Sequence, residues 1–144
     1  MKRDSKAVSV DALVAAGVGV REAMELSRLG LPVGRVGFLL CEPKEGDPLV
    51  LAYDSDYPLV VRNGQVWDLE ETIERLVNTS VTAFIAVLER YERYGDEVRD
   101  KSHTAGTRIA RQAASDMKRL DPRAFAPDDA YWPIICDQMI DGNL

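Results

Sequence analysis

The chain contains few of the residues that build metal and catalytic centres. Its 144 residues include one histidine, His103, and two cysteines, Cys41 and Cys136. This small set lacks the paired ligand spacing of a zinc site. Both cysteines lie in or at the end of an apolar run, which is typical of small buried side chains in a reducing compartment. We therefore expect no metal and no cofactor, although a disulfide between the two cysteines stays open.

Sequence motifs of common enzymes are also missing. No Gly-x-Ser-x-Gly elbow is present, and the glycine-containing segments 17–22 and 30–37 lack the spacing of dinucleotide and phosphate loops. His103 stands in a polar segment with no orienting partner, which is typical of a surface histidine. The longest apolar run is too short to span a membrane, and no apolar signal-peptide stretch follows Met1. We expect a cytoplasmic protein that does not enter a membrane.

Basic residues are scarce in the middle of the chain. The net charge is −6, and residues 36–74 carry nine acidic residues against Lys44 and Arg62. This balance disfavours nucleic acid as a partner, because affinity for phosphates comes largely from lysine and arginine. It favours a basic protein partner, since complementary fields steer association. The alternative is that the acidic loops only keep a small sheet soluble.

The size of the chain fits one domain over residues 1–144, and we expect residues 1–10 to be flexible. Residues 21–29 have helical spacing and end at Gly30, whereas 11–20 fit either a short helix or a loose arm. Asn63-Gly64 predicts a type I′ hairpin turn. Residues 73–77 fit either a further strand or a helical turn. Short apolar runs with turn residues on both sides predict strands at 36–40, 49–53, 57–61 and 65–69.

Helices are predicted in the second half of the chain. Asn78-Thr79-Ser80 provides side chains suited to capping a helix over about 81–98. A second helix, about 107–120, ends at Asp121-Pro122, because proline cannot continue the helical hydrogen bonding. Asp128 or Asp129 is suited to cap a final helix. The elements together predict an α+β fold, with a small curved antiparallel sheet of four to six strands flanked by an N-terminal helix and a C-terminal helical segment.

The acidic segment supplies the candidate partner-binding residues. Trp67 is an interface anchor if it points outward, although a core position is favoured. Glu70 and Glu74 have the i, i+4 spacing of paired carboxylates, but the ligand spacing of a calcium loop is absent and an exposed acidic edge is favoured. The predicted partner-binding set consists of acidic residues with one or two aromatic anchors: Asp54, Asp56, Asp68, Glu70, Glu71 and Glu74, with Tyr57 or Trp67.

Three short motifs, in this order of elements, are similar to a known family. They are Gly-Leu-Pro at 30–32, Val-Asn-Thr-Ser at 77–80 followed by Phe84, and Leu-Asp-Pro at 120–122 followed by Tyr-Trp-Pro at 131–133. The chain resembles the SUKH superfamily of bacterial toxin-immunity proteins over about residues 21–140, and most closely its fourth subfamily. It departs from the family pattern in its acidic 68–74 segment and in Thr79, where serine is common.

The resemblance implies a curved sheet flanked by helices in a non-enzymatic protein that binds and blocks a cognate toxin, often a nuclease or a nucleic-acid deaminase. The motif positions are structural, so no binding residue is carried over from the family. We predict an immunity-type protein that neutralises a basic toxin. Three alternatives remain: an adaptor or regulatory scaffold without a toxin partner, a small enzyme using Glu70 and Glu74, and self-association through an edge strand near Pro58.

Overall fold

The computed structural model describes residues 4–70 and 72–142. Glu71, one of the predicted partner-binding residues, lies outside them. The strands of the described part are β1 Ser5–Lys6, β2 Leu31–Pro32, β3 Gly34–Val36, β4 Leu39–Lys44, β5 Leu49–Asp54, β6 Tyr57–Arg62, β7 Gln65–Leu69 and β8 Glu74–Asn78. Its α-helices are α1 Val10–Ala15, α2 Val20–Leu29, α3 Val81–Val98, α4 His103–Leu120 and α5 Tyr131–Ile140, and a 3₁₀ turn covers Pro122–Phe125.

The strands form an antiparallel meander. Strands β3 to β8 pair in sequence order in a six-stranded sheet, and β1 pairs with β2 in a small second sheet. The predicted α+β fold is confirmed. The segment 73–77, which the sequence left open, contributes to β8 along the edge of the sheet beside β7. The apolar run 36–40 is not one strand, because Gly37 adopts a φ of 57° and turns the chain from β3 into β4.

The hairpin between β6 and β7 has the predicted turn. Asn63 and Gly64 have φ values of 54° and 76°, which are the two positive angles of a type I′ turn. The amide of Gly64 donates a 2.9 Å hydrogen bond to the carbonyl of Ala16, just after α1. A Cβ on Gly17 would lie 2.6 Å from Cα of Asn63. The first helix is therefore held against the turn by a close backbone contact.

Pro58 does not lie on an edge strand. It pairs with Tyr53 near the start of β6, and β6 lies between β5 and β7. Proline is tolerated there because it stands at the beginning of a strand. The edges of the main sheet are β3 and β8. The strand near Pro58 is therefore not an edge strand, and the alternative of self-association through it loses its structural basis.

The two faces of the main sheet differ in burial. Cys41, Ala52 and Leu59 occupy matching positions on neighbouring strands and are buried. This inner face belongs to one hydrophobic cluster with side chains such as Phe84 of α3 and Trp132 of α5. Cys136 is buried in the same cluster, so both cysteines are buried as predicted. The helices thus cover one side of the sheet and form the core with it.

The helix starts follow their capping side chains. The hydroxyl of Ser80 accepts a 3.0 Å hydrogen bond from the amide of Ala83, so α3 begins where predicted. Ser102 does the same for Ala105 at 3.2 Å, and α4 therefore begins at His103 rather than at Thr107. His103 is exposed in the first helical turn instead of in a loop.

The predicted cap of the last helix is wrong. Residue Ala130 precedes α5, and no side chain caps that helix. Asp128 and Asp129 lie in the turn before it, where the amide of Ala130 donates a 3.2 Å hydrogen bond to the carbonyl of Pro127. Across residues 4–70 and 72–142, no helix combines the length and the apolar character that a membrane crossing requires.

A buried polar network joins the sheet to the C-terminal helices. Asn78, at the end of β8, donates a 2.9 Å hydrogen bond to Asp121 and accepts a 2.8 Å bond from the indole of Trp132. The amide and hydroxyl of Thr79 donate to the same carboxylate at 2.9 and 2.8 Å. The buried polar side chains of this network thus have partners, as burial away from water requires. Two of the three sequence motifs meet in this network.

Candidate functional site

Most of the predicted partner-binding residues lie at one end of the main sheet. In an antiparallel meander, the β5–β6 turn, the end of β7 and the start of β8 fall at the same end. We call this region the acidic end. The opposite end carries the β6–β7 turn and α1. The predicted residues that the structure places at the acidic end are Asp54, Asp56, Tyr57, Asp68, Glu70 and Glu74.

A cavity of about 310 Å³ opens at the acidic end, between the sheet and α5. Its polar lining includes the carboxylates of Asp54, Asp68 and Glu70 and the guanidinium of Arg75. Its apolar lining comes from the turn after β3 and from α5, with Phe38, Ile134 and Ile135. Three carboxylates face one basic side chain, so the cavity has an excess of negative charge.

Asp68 is the most unusual of these residues, because it occupies a core position. It lies opposite Leu59 and Arg75 on the inner face, and it is only 2% exposed. Its Oδ1 atom has no hydrogen-bond partner in the described part of the chain. Burial, then the charges of Glu70 and Asp54, raise the pKa of Asp68 to about 6, although Arg75 acts in the opposite direction. The fold therefore holds a buried carboxylate whose charge Arg75 offsets only in part.

Asp54 has a partner from α5. The hydroxyl of Tyr131 donates a 2.9 Å hydrogen bond to its Oδ2. Tyr131 is buried, and burial together with the charge of Asp54 raises the pKa of the phenol well above its ordinary value. The phenol therefore stays protonated as a donor. In the sequence, Tyr131 stands out only as part of a motif, and its hydrogen bond to Asp54 joins elements that no local pattern connects.

Arg75 is directed to Glu70 rather than to the buried aspartate. Its Nη1 lies 3.0 Å from Oε1 of Glu70 in an ion pair. In the described residues, no cluster of three or more histidine, cysteine or acidic side chains is suited to hold a metal ion. What the cavity can do chemically is accept hydrogen bonds from a positively charged group.

The rest of the predicted set lies outside the cavity. Asp56 is exposed in the β5–β6 turn, and Tyr57 is half-buried at the start of β6. Glu74 is exposed and forms a 2.7 Å ion pair with Arg62, which lowers the pKa of the glutamate through the hydrogen bond. Asp56 thus extends the negative surface from the cavity to the solvent-exposed turn, whereas the charge of Glu74 is balanced by that of Arg62.

Trp67 points away from the core. Along β7, Val66 and Asp68 are buried, whereas Gln65, Trp67 and Leu69 are half-buried on the outer face. The guanidinium carbon of Arg62 lies 5.3 Å from the ring centroid, within the range of a cation–π contact. The favoured prediction of a core position for Trp67 is therefore wrong, because the strand alternation places Asp68 inside and the indole outside. That alternation was the sequence signal that would have found the buried Asp68.

A family model described as SUKH-4 immunity protein matches residues 9–138 of the chain. The matched stretch includes the three sequence motifs, the buried polar network and the acidic cavity. The comparisons with curated proteins and with solved structures gave no match.

Proposed function

Because the chain belongs to the SUKH-4 immunity protein family, we propose that it binds a cognate bacterial toxin and blocks it by direct contact, without a reaction of its own. The proposed toxin is a basic domain of the nuclease or nucleic-acid deaminase class. The observation that carries this proposal is the convergence of Asp54, Asp68 and Glu70 at one end of the sheet, next to the exposed Asp56.

The physical reason for a basic partner is charge complementarity. An enzyme that acts on nucleic acid must attract phosphate groups, so its active cleft carries lysine and arginine. A surface with an excess of carboxylates competes for such a cleft and speeds the encounter by long-range attraction. In this proposal the carboxylates of the acidic end mimic the negative charge of the nucleic-acid substrate, and the acidic end covers the active cleft of the toxin.

The proposed interface also includes aromatic side chains. Tyr57 lies at the acidic end, and Trp67 lies on the outer face beside the Arg62–Glu74 ion pair. Large aromatic side chains supply much of the binding energy at protein interfaces, because they bury a large area with few rotatable bonds. We propose that one of them anchors the toxin while the carboxylates orient it.

Co-expression with candidate toxins tests the proposal. Toxin domains encoded beside this chain are expressed in a bacterial host with and without it, and the two proteins are then purified and mixed. We expect one domain that stops growth alone, permits growth with the chain, and elutes with it as one complex. If no domain is neutralised or bound, the toxin-blocking function is refuted and a role as an adaptor or regulatory scaffold becomes the better interpretation.

Charge reversal tests which surface is used. Asp56→Lys and Glu74→Lys change exposed residues, so the fold should survive both. We expect association with the toxin to slow about tenfold in low salt and to lose part of its salt dependence. Asp11→Lys is the matched control. Asp11 is exposed in α1, at the end of the sheet opposite to the acidic end. The N-cap residue of this helix, Ser9, donates a hydrogen bond there to Glu45. Equal rates for all three variants would rule out the acidic end as the interface, even if the toxin is still neutralised.

A further inference from the structure

The carboxylate of Asp68 is buried in the wall of the cavity and is incompletely hydrogen-bonded. The residue is 2% exposed, it lines the cavity, and its Oδ1 atom has no partner in the described residues. A buried charge without a partner destabilises a fold, so such a group in a native structure calls for an explanation. A ligand that donates hydrogen bonds to it would remove that cost.

The neighbouring charges indicate the sign of that ligand. Asp54 accepts its hydrogen bond from Tyr131, a phenol that brings no positive charge into the cavity. Arg75 forms its ion pair with Glu70, so its charge offsets that of Asp68 only in part. The group that completes this site is therefore a cation. The absence of a three-ligand cluster among the described residues disfavours a metal ion.

The cavity wall indicates the shape of the cation. Phe38, Ile134 and Ile135 form an apolar wall beside the carboxylates. A long basic side chain matches both parts, because its methylene groups pack on apolar surface while its charged end reaches the acids. A guanidinium fits better than an ammonium, since its planar set of donors can serve two carboxylates at once.

We propose that the cavity beside Asp68 receives an arginine side chain of the toxin, with Asp68 and Asp54 as its carboxylate acceptors. This inference rests on the proposed function and adds to it the chemistry of the contact. The arginine donates to the carboxylates of Asp68 and Asp54 from inside the cavity, and its methylene groups lie along Ile134 and Ile135. In this proposal the cavity is a specific binding pocket for one arginine side chain within a broader acidic surface.

A small arginine probe tests the cavity without the toxin. N-acetyl-arginine amide is titrated into the full-length, ¹⁵N-labelled chain, and N-acetyl-citrulline amide serves as a neutral probe of the same shape. We expect amide shifts confined to the cavity lining, at least tenfold weaker binding of the citrulline probe, and the same loss in Asp68→Asn. Asp11→Asn, at an exposed acid of α1 at the opposite end of the sheet, should bind the arginine probe like the unchanged chain.

The outcomes separate this inference from the proposed function. Scattered shifts, or binding that Asp68→Asn leaves unchanged, would overturn the arginine site and indicate that water satisfies the carboxylate instead. A toxin that Asp68→Asn still binds with unchanged affinity would overturn it as well, while leaving toxin neutralisation intact. If the probe binds in the cavity but no neighbouring toxin is neutralised, the proposed function fails and the cavity remains a site for a guanidinium group.

Discussion

The side-chain amide of Asn78 donates a 2.9 Å hydrogen bond to the carboxylate of Asp121, 43 residues further along the chain. Both residues are buried, and Trp132 completes the contact from α5. The positions that resemble the family motifs at 77–80, 120–122 and 131–133 are therefore in contact with one another in space. Their common role is to join the sheet to the helices that form one wall of the cavity.

We expect Asp121→Ala to lower the free energy of unfolding by about 3–5 kcal/mol. The variant leaves the donors of Asn78 and Thr79 without an acceptor, and a buried donor that loses a charged acceptor costs about 1.5–3 kcal/mol. Urea denaturation measures the change. The matched control is Asp129→Ala, at an exposed aspartate in the turn before α5, which should alter stability by less than about 0.5 kcal/mol. Equal effects of the two substitutions would show that the network contributes little.

We expect Asp68→Asn to stabilise the free protein at pH 8. Because the pKa of Asp68 rises from the ordinary 3.8 to about 6 in the fold, the folded state binds this proton more tightly than the unfolded state does. Binding of this proton to Asp68 therefore stabilises the fold below about pH 4, and this stabilisation is lost as the pH rises through 6. The buried carboxylate costs roughly 2–3 kcal/mol above that range.

The measurement is urea denaturation of both proteins between pH 4 and pH 8. At pH 4 the variant and the unchanged chain should have equal free energies of unfolding. At pH 8 that of the variant should be higher by roughly 1–3 kcal/mol, since asparagine carries no charge at either pH. Asp56→Asn, at an exposed turn position, should follow the unchanged chain throughout. Parallel curves for Asp68→Asn and the unchanged chain would contradict the raised pKa.

Two glycines are expected to respond to alanine in opposite directions. Gly17 has a φ of 92°, and a Cβ there would lie 2.6 Å from Cα of Asn63, so Gly17→Ala should destabilise by about 2 kcal/mol or more. Gly95 lies exposed within α3 with open space around it, so Gly95→Ala should stabilise by about 0.5–1 kcal/mol. Thermal unfolding compares the two variants. A stable Gly17→Ala protein would mean that α1 can leave the hairpin without cost.

We expect Trp67→Ala to weaken toxin binding about thirtyfold, through faster dissociation, if the indole is the anchor. A central aromatic side chain at an interface commonly contributes about 2 kcal/mol or more. Trp67 is half-buried on the outer face, whereas Trp132 is fully buried. Trp67→Ala should therefore lower the free energy of unfolding far less than Trp132→Ala. Surface plasmon resonance gives the dissociation rate. Tyr57→Ala is the comparison that identifies the anchor, and two unaffected variants would exclude both aromatics from the interface.

Local patterns predicted the elements whose geometry is decided locally. Asn63-Gly64 specified its turn because few residues adopt two consecutive positive φ angles, and Ser80 specified the start of α3 through its own side chain. Residues 73–77 remained ambiguous because the choice of strand depends on pairing with β7. The start of α4 was placed too late, since Ser102 was read as part of a polar break rather than as a cap.

The candidate site was predicted in composition but not in arrangement. Counting charges identified the acidic segment, and the structure brings Asp54, Asp68 and Glu70 together in one cavity. Net charge carries no information on depth, so the burial of Asp68 and the outward position of Trp67 were missed. The contact between Tyr131 and Asp54 joins residues 77 positions apart, and only the packing of α5 on the sheet creates it.

Because α5 forms one wall of the cavity, the cavity forms late when the chain folds during synthesis on the ribosome. In the meander from β3 to β8, each strand pairs with its neighbour in sequence, so the sheet can assemble early. Helix α5 is synthesised later, because its Trp132 lies 54 positions after Asn78, the β8 residue that it contacts. Until that helix docks, the cavity lacks this wall. If the acidic end is the interface that we propose, a nascent chain cannot bind a toxin there before α5 has been synthesised and has docked.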